Sequence, residues 1–304
     1  MRAKFIEALT YLASSNKDIV LVTGDLGFGS FEQFEKKFPG QYFNAGIAEQ
    51  SMIGIASGLA KAGKIVFVYS IGNFVTMRCL EQIRNDACYH DLNVNLVSQG
   101  GGFTYGALGM SHHATEDIAI MRALPNMTIC APSCSKDTYD AVLQLIDIKG
   151  PSYLRLEKAN TNEHSDNSLS YEIGIPKMLK EGKDILLIAT GGVVNEVLDA
   201  AVTVGDELNV SVFDFHTIKP INHHIILQEI KKYKYVVSIE EHQVNGGLGS
   251  LIAEIIAENN VDVFFKRLGI NDELITLVGD QAYLRDNIGI DKNSIVSFLR
   301  NIKL

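Results

Sequence analysis

The chain has 304 residues, with 27 Lys and Arg against 36 Asp and Glu, so its formal charge is −9. An apolar fraction of 46% with 21% charged residues excludes a disordered chain, and the negative balance argues against a nucleic-acid partner or an anionic membrane surface. At ~100–200 residues per domain the length suits two domains, each able to bury a core without disulfides or metals.

MRAKFIEALTYLASSNKD at the N-terminus starts as an amphipathic helix and lacks a signal-peptide core. No run reaches the ~18 apolar residues of a spanning helix, so a cytoplasmic location without a membrane is expected. DIVLVTG (18–24) predicts the first strand, followed by a helix over 46–62, and KIVFVYS (64–70) the second, followed by a helix over 74–88. NVNLVSQ (93–99) and MTICAP (127–132) are the next strands, with helices over 115–123 and 135–147. The second half continues with strands DILLIAT (184–190), VSVFDF (210–215) and KYVVSIE (234–240), and helices over 194–204 and 247–258. Strands this continuously apolar belong in parallel sheets covered on both faces. The alternation predicts an α/β chain of two consecutive doubly wound domains with mainly parallel sheets. The polar, aperiodic stretch 159–180 supplies a connection, which gives domains over 1–160 and 181–304 and a linker over 161–180.

Cys79, Cys88, Cys130 and Cys134 form no CxxC pair and have no His at ligand spacing. They read as reduced, buried thiols of a cytosolic protein. Glycine clusters at 24–29, 100–102, 191–192 and 246–249 follow strands, at the strand ends where open α/β sheets bind ligands. None is GxGxxG or a phosphate loop, and tight turns alone account for such glycines.

Three segments carry candidate chemistry. Between Lys37 and Lys61 the only charged residue is Glu49, at the head of a helix whose body holds Gly54, Ala56, Ser57, Gly58 and Ala60. Those small residues suit close packing against another backbone, including that of a second subunit. Glu49 is either an acid favoured by the helix dipole or a desolvated carboxyl able to share a proton with a ligand. Phe74, at a strand-to-helix turn, is either core or a ligand-facing aromatic. His112 and His113 leave a glycine-rich loop just before Thr115, Glu116 and Asp117, which cap a helix. No third metal ligand stands at readable spacing, and adjacent His side chains on a loop usually diverge.

The stretches GIAEQSMIGIASGLA, LEQIRND, SHHATEDIAIMRALPNMTICAP, DFHTIKPI and EEHQVNGGLGS, in this order over nearly the whole chain, resemble the transketolase family, specifically the C-terminal half of a split transketolase. The resemblance implies thiamine diphosphate, whose thiazolium ring loses a proton, adds to a ketose carbonyl and holds the resulting carbanion. By that resemblance Glu49 would hydrogen-bond the cofactor's pyrimidine ring nitrogen and favour its imino form. Phe74 would stack on the pyrimidine, and Asp25 in TGDLG would lie near the cofactor. His112 would steer protons or bind ketol oxygens, and Arg2 and Arg155 would bind substrate phosphate. A strand-end structural role is equally open for Arg155. The family holds the diphosphate and Mg²⁺ through a GDG motif. Here Gly24-Asp25 continues with Leu26 and Gly279-Asp280 with Gln281. An N-terminal partner subunit is therefore expected to carry the diphosphate and Mg²⁺ ligands, in an α2β2 heterotetramer with paired sites.

The sugar end departs from the family. Gly100 stands for a substrate-binding His, Ala107-Leu108 for a Glu-Asp pair, and Ile71 for an aromatic near the cofactor, while a phosphate-binding Ser falls near Gly29 and Ser30. These changes imply transfer of a two-carbon ketol unit between sugar phosphates that include a less common sugar. A decarboxylating relative remains the alternative, of the 1-deoxyxylulose-5-phosphate synthase or 2-oxo-acid dehydrogenase β-subunit kind, and a non-catalytic scaffold is the third reading. His216 and His242 read as hydrogen-bonded histidines in packed turns.

Overall fold

The computed structural model describes residues 1–157 and 169–302. Six strands build the first domain: β1 (Ile19–Thr23), β2 (Tyr42–Asn44), β3 (Ile65–Ile71), β4 (Val94–Gln99), β5 (Thr128–Cys130) and β6 (Ser152–Leu156). They lie in the order β5-β6-β4-β3-β1-β2 and are parallel throughout. Successive side chains of a strand face opposite ways. Val20, Val22, Val66, Val68 and Leu96 therefore pack on one side, against Met52, Ile53 and Ala56 of the Glu49–Lys61 helix. Ile19, Leu21, Phe67, Tyr69 and Val97 pack on the other, against Phe5, Ala8, Leu9 and Leu12 of the Arg2–Ser15 helix and Ala141, Val142 and Leu145 of the Ser135–Leu145 helix. Both faces are covered, which is why these strands read as unbroken apolar runs.

The second domain adds β7 (Lys177–Lys180), β8 (Ile185–Ala189), β9 (Val210–Asp214), β10 (Thr217–Lys219), β11 (Tyr235–Gln243) and β12 (Phe264–Ile270). Its sheet runs β12-β11-β8-β9-β7, parallel except for β7, which pairs antiparallel with β9. β10 leaves this domain and pairs antiparallel with β5, covering an edge of the first sheet. Of the expected linker, 161–168 lies outside the described residues, and Lys177–Lys180 is a strand of the second sheet.

The helix expected over 74–88 is a broken series: Gly72–Val75, Met77–Cys79, Leu80–Gln82 and Ile83–Cys88. Thr76 interrupts it. Its hydroxyl donates to the Gly72 carbonyl at 2.7 Å and its ψ is −79°. Such local side-chain bonding competes with regular helix. The Glu49–Lys61 helix buries only one face, and Gly54 and Gly58 have open space where a side chain would be. The four cysteines are free and buried. Among the described residues no helix is long and apolar enough to cross a membrane.

Candidate active site

The site lies at the carboxyl ends of the first sheet's strands, where the βα turns converge. Register brings Ile71 of β3 level with Gln99 of β4, and Gln99 level with Leu156 of β6. Gly72 then lets three loops meet. A Cβ there would stand 2.6 Å from the Ala114 Cβ and 3.1 Å from the Gly100 carbonyl oxygen. Phe74 thus comes beside the loop that carries His112, and their ring centroids are 5.3 Å apart, edge to face. Asn73 Nδ2 donates to the Ser111 carbonyl at 3.2 Å and ties the same loops together.

Glu49 opens its helix and is only 2% exposed. Its Oε1 is 3.5 Å from the Ser70 hydroxyl, and its Oε2 accepts from Arg78 Nη1 at 2.6 Å. Arg78 in turn places its guanidinium carbon 4.3 Å from the Phe74 ring centroid. Glu49, Phe74 and His112 therefore form one cluster, joined through Arg78. The residues between Lys37 and Lys61 gave no sign of Arg78, because its proximity to Glu49 comes from the turn after β3. The cluster also sets the neighbouring thiol. Burial and then the Glu49 charge push Cys79 up to about 12, with Arg78 opposing, so it stays protonated.

The two histidines diverge. His112 has its Nδ1 3.0 Å from the Ser111 hydroxyl and faces Phe74. His113 is 3% exposed with its ring against Phe103, and desolvation lowers its pKa despite nearby acids. Asp25 sits just past β1 with φ of 56° and exchanges hydrogen bonds with Asn44, each 3.0 Å. It lines a surface cavity with Leu26, Phe28, Phe31 and Tyr42, a lining that does not include Glu49. Ile71 is the half-buried last residue of β3, three before Phe74. Arg2 is exposed and reaches the Tyr69 hydroxyl, whose pKa is raised by burial and then by Tyr105, with Arg2 opposing.

Arg155 lies behind these loops, against Gly101 and the Ala114 carbonyl, in surroundings that match its structural alternative rather than an open phosphate site. It is 1% exposed in β6. Its Nε donates to Asp117 at 2.8 Å, and its Nη2 donates to the carbonyls of Ala114 and Glu241 at 3.1 and 3.0 Å. Glu157 lies 3.4 Å from Nη1. A buried guanidinium so engaged presents no donor to solvent-borne phosphate. His242 and His216 are likewise fully buried.

The second domain reaches the site through a buried network. Glu241 accepts from the Phe103 backbone N–H in the glycine loop, and is itself held by Arg285 and by Gln281 at 2.9 Å. Among the replaced positions, Gly100 has φ of +102° and the Tyr105 ring fills the space where its side chain would be. Leu108 is 59% exposed at the loop surface.

These features agree with the comparisons. Residues 1–163 match the family model for the transketolase pyrimidine binding domain, and residues 175–295 that for the transketolase C-terminal domain. The chain is 37% identical over 298 residues to one of the subunits of the apulose-4-phosphate transketolase of Actinobacillus succinogenes, covering 97% of this chain and 94% of that protein. It is 33% identical to a 1-deoxy-D-xylulose-5-phosphate synthase of Halothermothrix orenii, but covers only 46% of it. A solved structure described as a split gene transketolase, inactive β4 tetramer, superposes with a TM-score of 0.87 at 34% identity, covering 98% of this chain and 96% of that one. With both domains in order and subunit-length relatives aligned nearly end to end, the chain belongs to the transketolase family, as the pyrimidine-binding and C-terminal half of a split transketolase.

Proposed function

We propose that this chain supplies the pyrimidine side of a thiamine diphosphate site and, with a partner subunit that holds the diphosphate and Mg²⁺, transfers two-carbon ketol units between sugar phosphates. The observation that carries this reading is the Glu49 carboxylate, 2% exposed, facing the half-buried Phe74 ring across the Arg78 guanidinium. A flat, nitrogen-bearing guanidinium already fits between them, so the slot suits a flat heteroaromatic ring. The family implies thiamine diphosphate, which when bound supplies the carbon centre that takes up and releases the ketol unit.

The chain's own residues then have distinct tasks. Glu49 would hydrogen-bond the pyrimidine ring nitrogen, at a position its burial shields from competing water. Phe74 stacks on the ring, and Ile71 is an apolar wall at the same strand end. Asp25 borders the cofactor side, held by Asn44. His112, oriented by Ser111, holds substrate oxygens or moves their protons. Arg2 offers a bidentate cation to substrate phosphate beside Tyr69. The partner requirement draws support from the related split transketolase, whose β chains alone are described as inactive. An α2β2 assembly follows the family's two-fold logic.

The substitution Glu49→Gln tests the reading. Turnover should fall on the order of 10²-fold or more while assembly with the partner persists. Unchanged turnover removes the catalytic role. The chain alone should bind thiamine diphosphate and Mg²⁺ poorly in calorimetry, and tight binding would remove the division of labour between subunits.

A further inference from the structure

Arg78 makes two contacts of different kinds. Its Nη1 donates to Glu49 at 2.6 Å, and its planar guanidinium lies over Phe74 with Cζ 4.3 Å from the ring centroid. These are the same two contacts that the proposed function gives to the cofactor's pyrimidine ring: an aromatic face below and a buried carboxylate at the edge. One slot cannot hold both groups. We propose that Arg78 is a placeholder, filling the ring slot in the cofactor-free chain and leaving it when the pyrimidine enters. This rests on the reading of Glu49 and Phe74 given above.

The physical need for a placeholder is plain. Apart from Arg78, among the described residues the Glu49 carboxylate has only the Ser70 hydroxyl at 3.5 Å, the outer limit of a hydrogen bond. A buried carboxylate left so is strongly disfavoured. Arg78 answers that charge until a ligand does. It is also built to leave. Its side chain is 45% exposed, so swinging outward breaks no core packing. Its backbone stays put, because Gln50, next to Glu49, donates from Nε2 to the Arg78 carbonyl at 3.0 Å. Arg78's end of the pair is open to water and its cation–π contact is weak, so once a ligand takes its place at Glu49 the exchange is reversible.

The idea predicts an unusual sign. An ordinary cofactor-binding arginine loses affinity when removed. A placeholder lowers the fraction of chains open to the ring, so its removal tightens binding. The test is calorimetric titration of the complete two-subunit enzyme with thiamine diphosphate and Mg²⁺, for the wild type, Arg78→Met and Arg78→Lys. Methionine keeps the apolar stem and deletes the guanidinium. Lysine keeps the charge without the flat face, which covers the case in which the methionine variant fails to fold. Arg78→Met should bind the cofactor about fivefold tighter or more, with Arg78→Lys between it and the wild type. The cofactor-free chain should melt lower in Arg78→Met, because Glu49 has lost its counter-charge. Weaker or unchanged cofactor affinity in these variants, with normal binding by the wild type, overturns the placeholder while sparing the proposed function. Absence of binding by the wild-type enzyme overturns both.

Discussion

Glu241, in the second domain, accepts a hydrogen bond from the backbone N–H of Phe103, in the glycine loop of the first. A Cβ on Gly102 would collide with that carboxylate, so the loop fits over it only because Gly102 has none. The second domain thus props up the loop that leads to His112. In Glu241→Gln the Phe103 amide should keep only a neutral acceptor, and Arg285 should lose one of its three carboxylate partners, the others being Glu157 and Glu196. Breaking a buried pair of this kind costs about 3–5 kcal/mol, so the melting temperature should drop. Hydrogen exchange should report faster exchange at the Phe103 amide than at β4 amides. Equal protection would show that the contact does not hold the loop.

Arg155 is the centre of an interior network, bonded to Asp117, Glu157 and the carbonyls of Ala114 and Glu241. Arg155→Met leaves Asp117 and Glu157 without their shared cation and should destabilise the chain by about 3–5 kcal/mol, read by denaturant unfolding. The folded fraction should keep its KM for a phosphorylated sugar. A raised KM with unchanged stability would restore a substrate role.

Gly100 and Tyr105 form a matched pair. Gly100→Ala forces a methyl into the Tyr105 ring at a φ of +102°, and should cost about 1–3 kcal/mol. Adding Tyr105→Ala should recover the steric part but not the backbone part, which a double-mutant cycle measures as coupling. Simple additivity would show that the ring moves aside freely.

Stability should fall as pH rises from about 6.5 to about 8. Asp214 is fully buried beside Ser133, Asp137 and Lys177. Burial and then the Asp137 charge push its carboxyl up from 3.8 to about 8, against the Ser133 hydrogen bond and Lys177. Between those values the folded chain holds a proton that the unfolded chain releases, so stability falls with rising pH. His216 works the other way, because burial lowers it from 6.5 to about 4 and the unfolded chain takes the proton there. The two oppose each other between about 4 and 6.5, and above that His216 no longer offsets Asp214. Its contribution across the upper window is ~2 kcal/mol, a few degrees of melting temperature. In Asp214→Asn the fall between pH 6.5 and 8 should be smaller by that amount. A slope unchanged from the wild type would place the titration on another group.

The turn at Phe74 and the loop at His112 were legible because each comes after a strong apolar run, and Glu49 because uncharged neighbours marked the lone acid. Less regular strands were hidden. SYLRL in β6 carries a buried charge, YFN in β2 is three residues long, and KMLK in β7 is an antiparallel edge with lysine ends. Their partners lie far away in sequence, and only sheet pairing satisfies them.

Local periodicity and motif order by themselves determined the two α/β domains, their sequence of strands and helices, and the family. These depend on burial of one face or two, which each segment encodes within its own length. The tertiary structure alone decided that Arg155 is interior, that Glu241 braces the glycine loop, and that Arg78 rests between Glu49 and Phe74. Which charge meets which is set by the folding of distant segments onto one another, and no spacing along the chain records it.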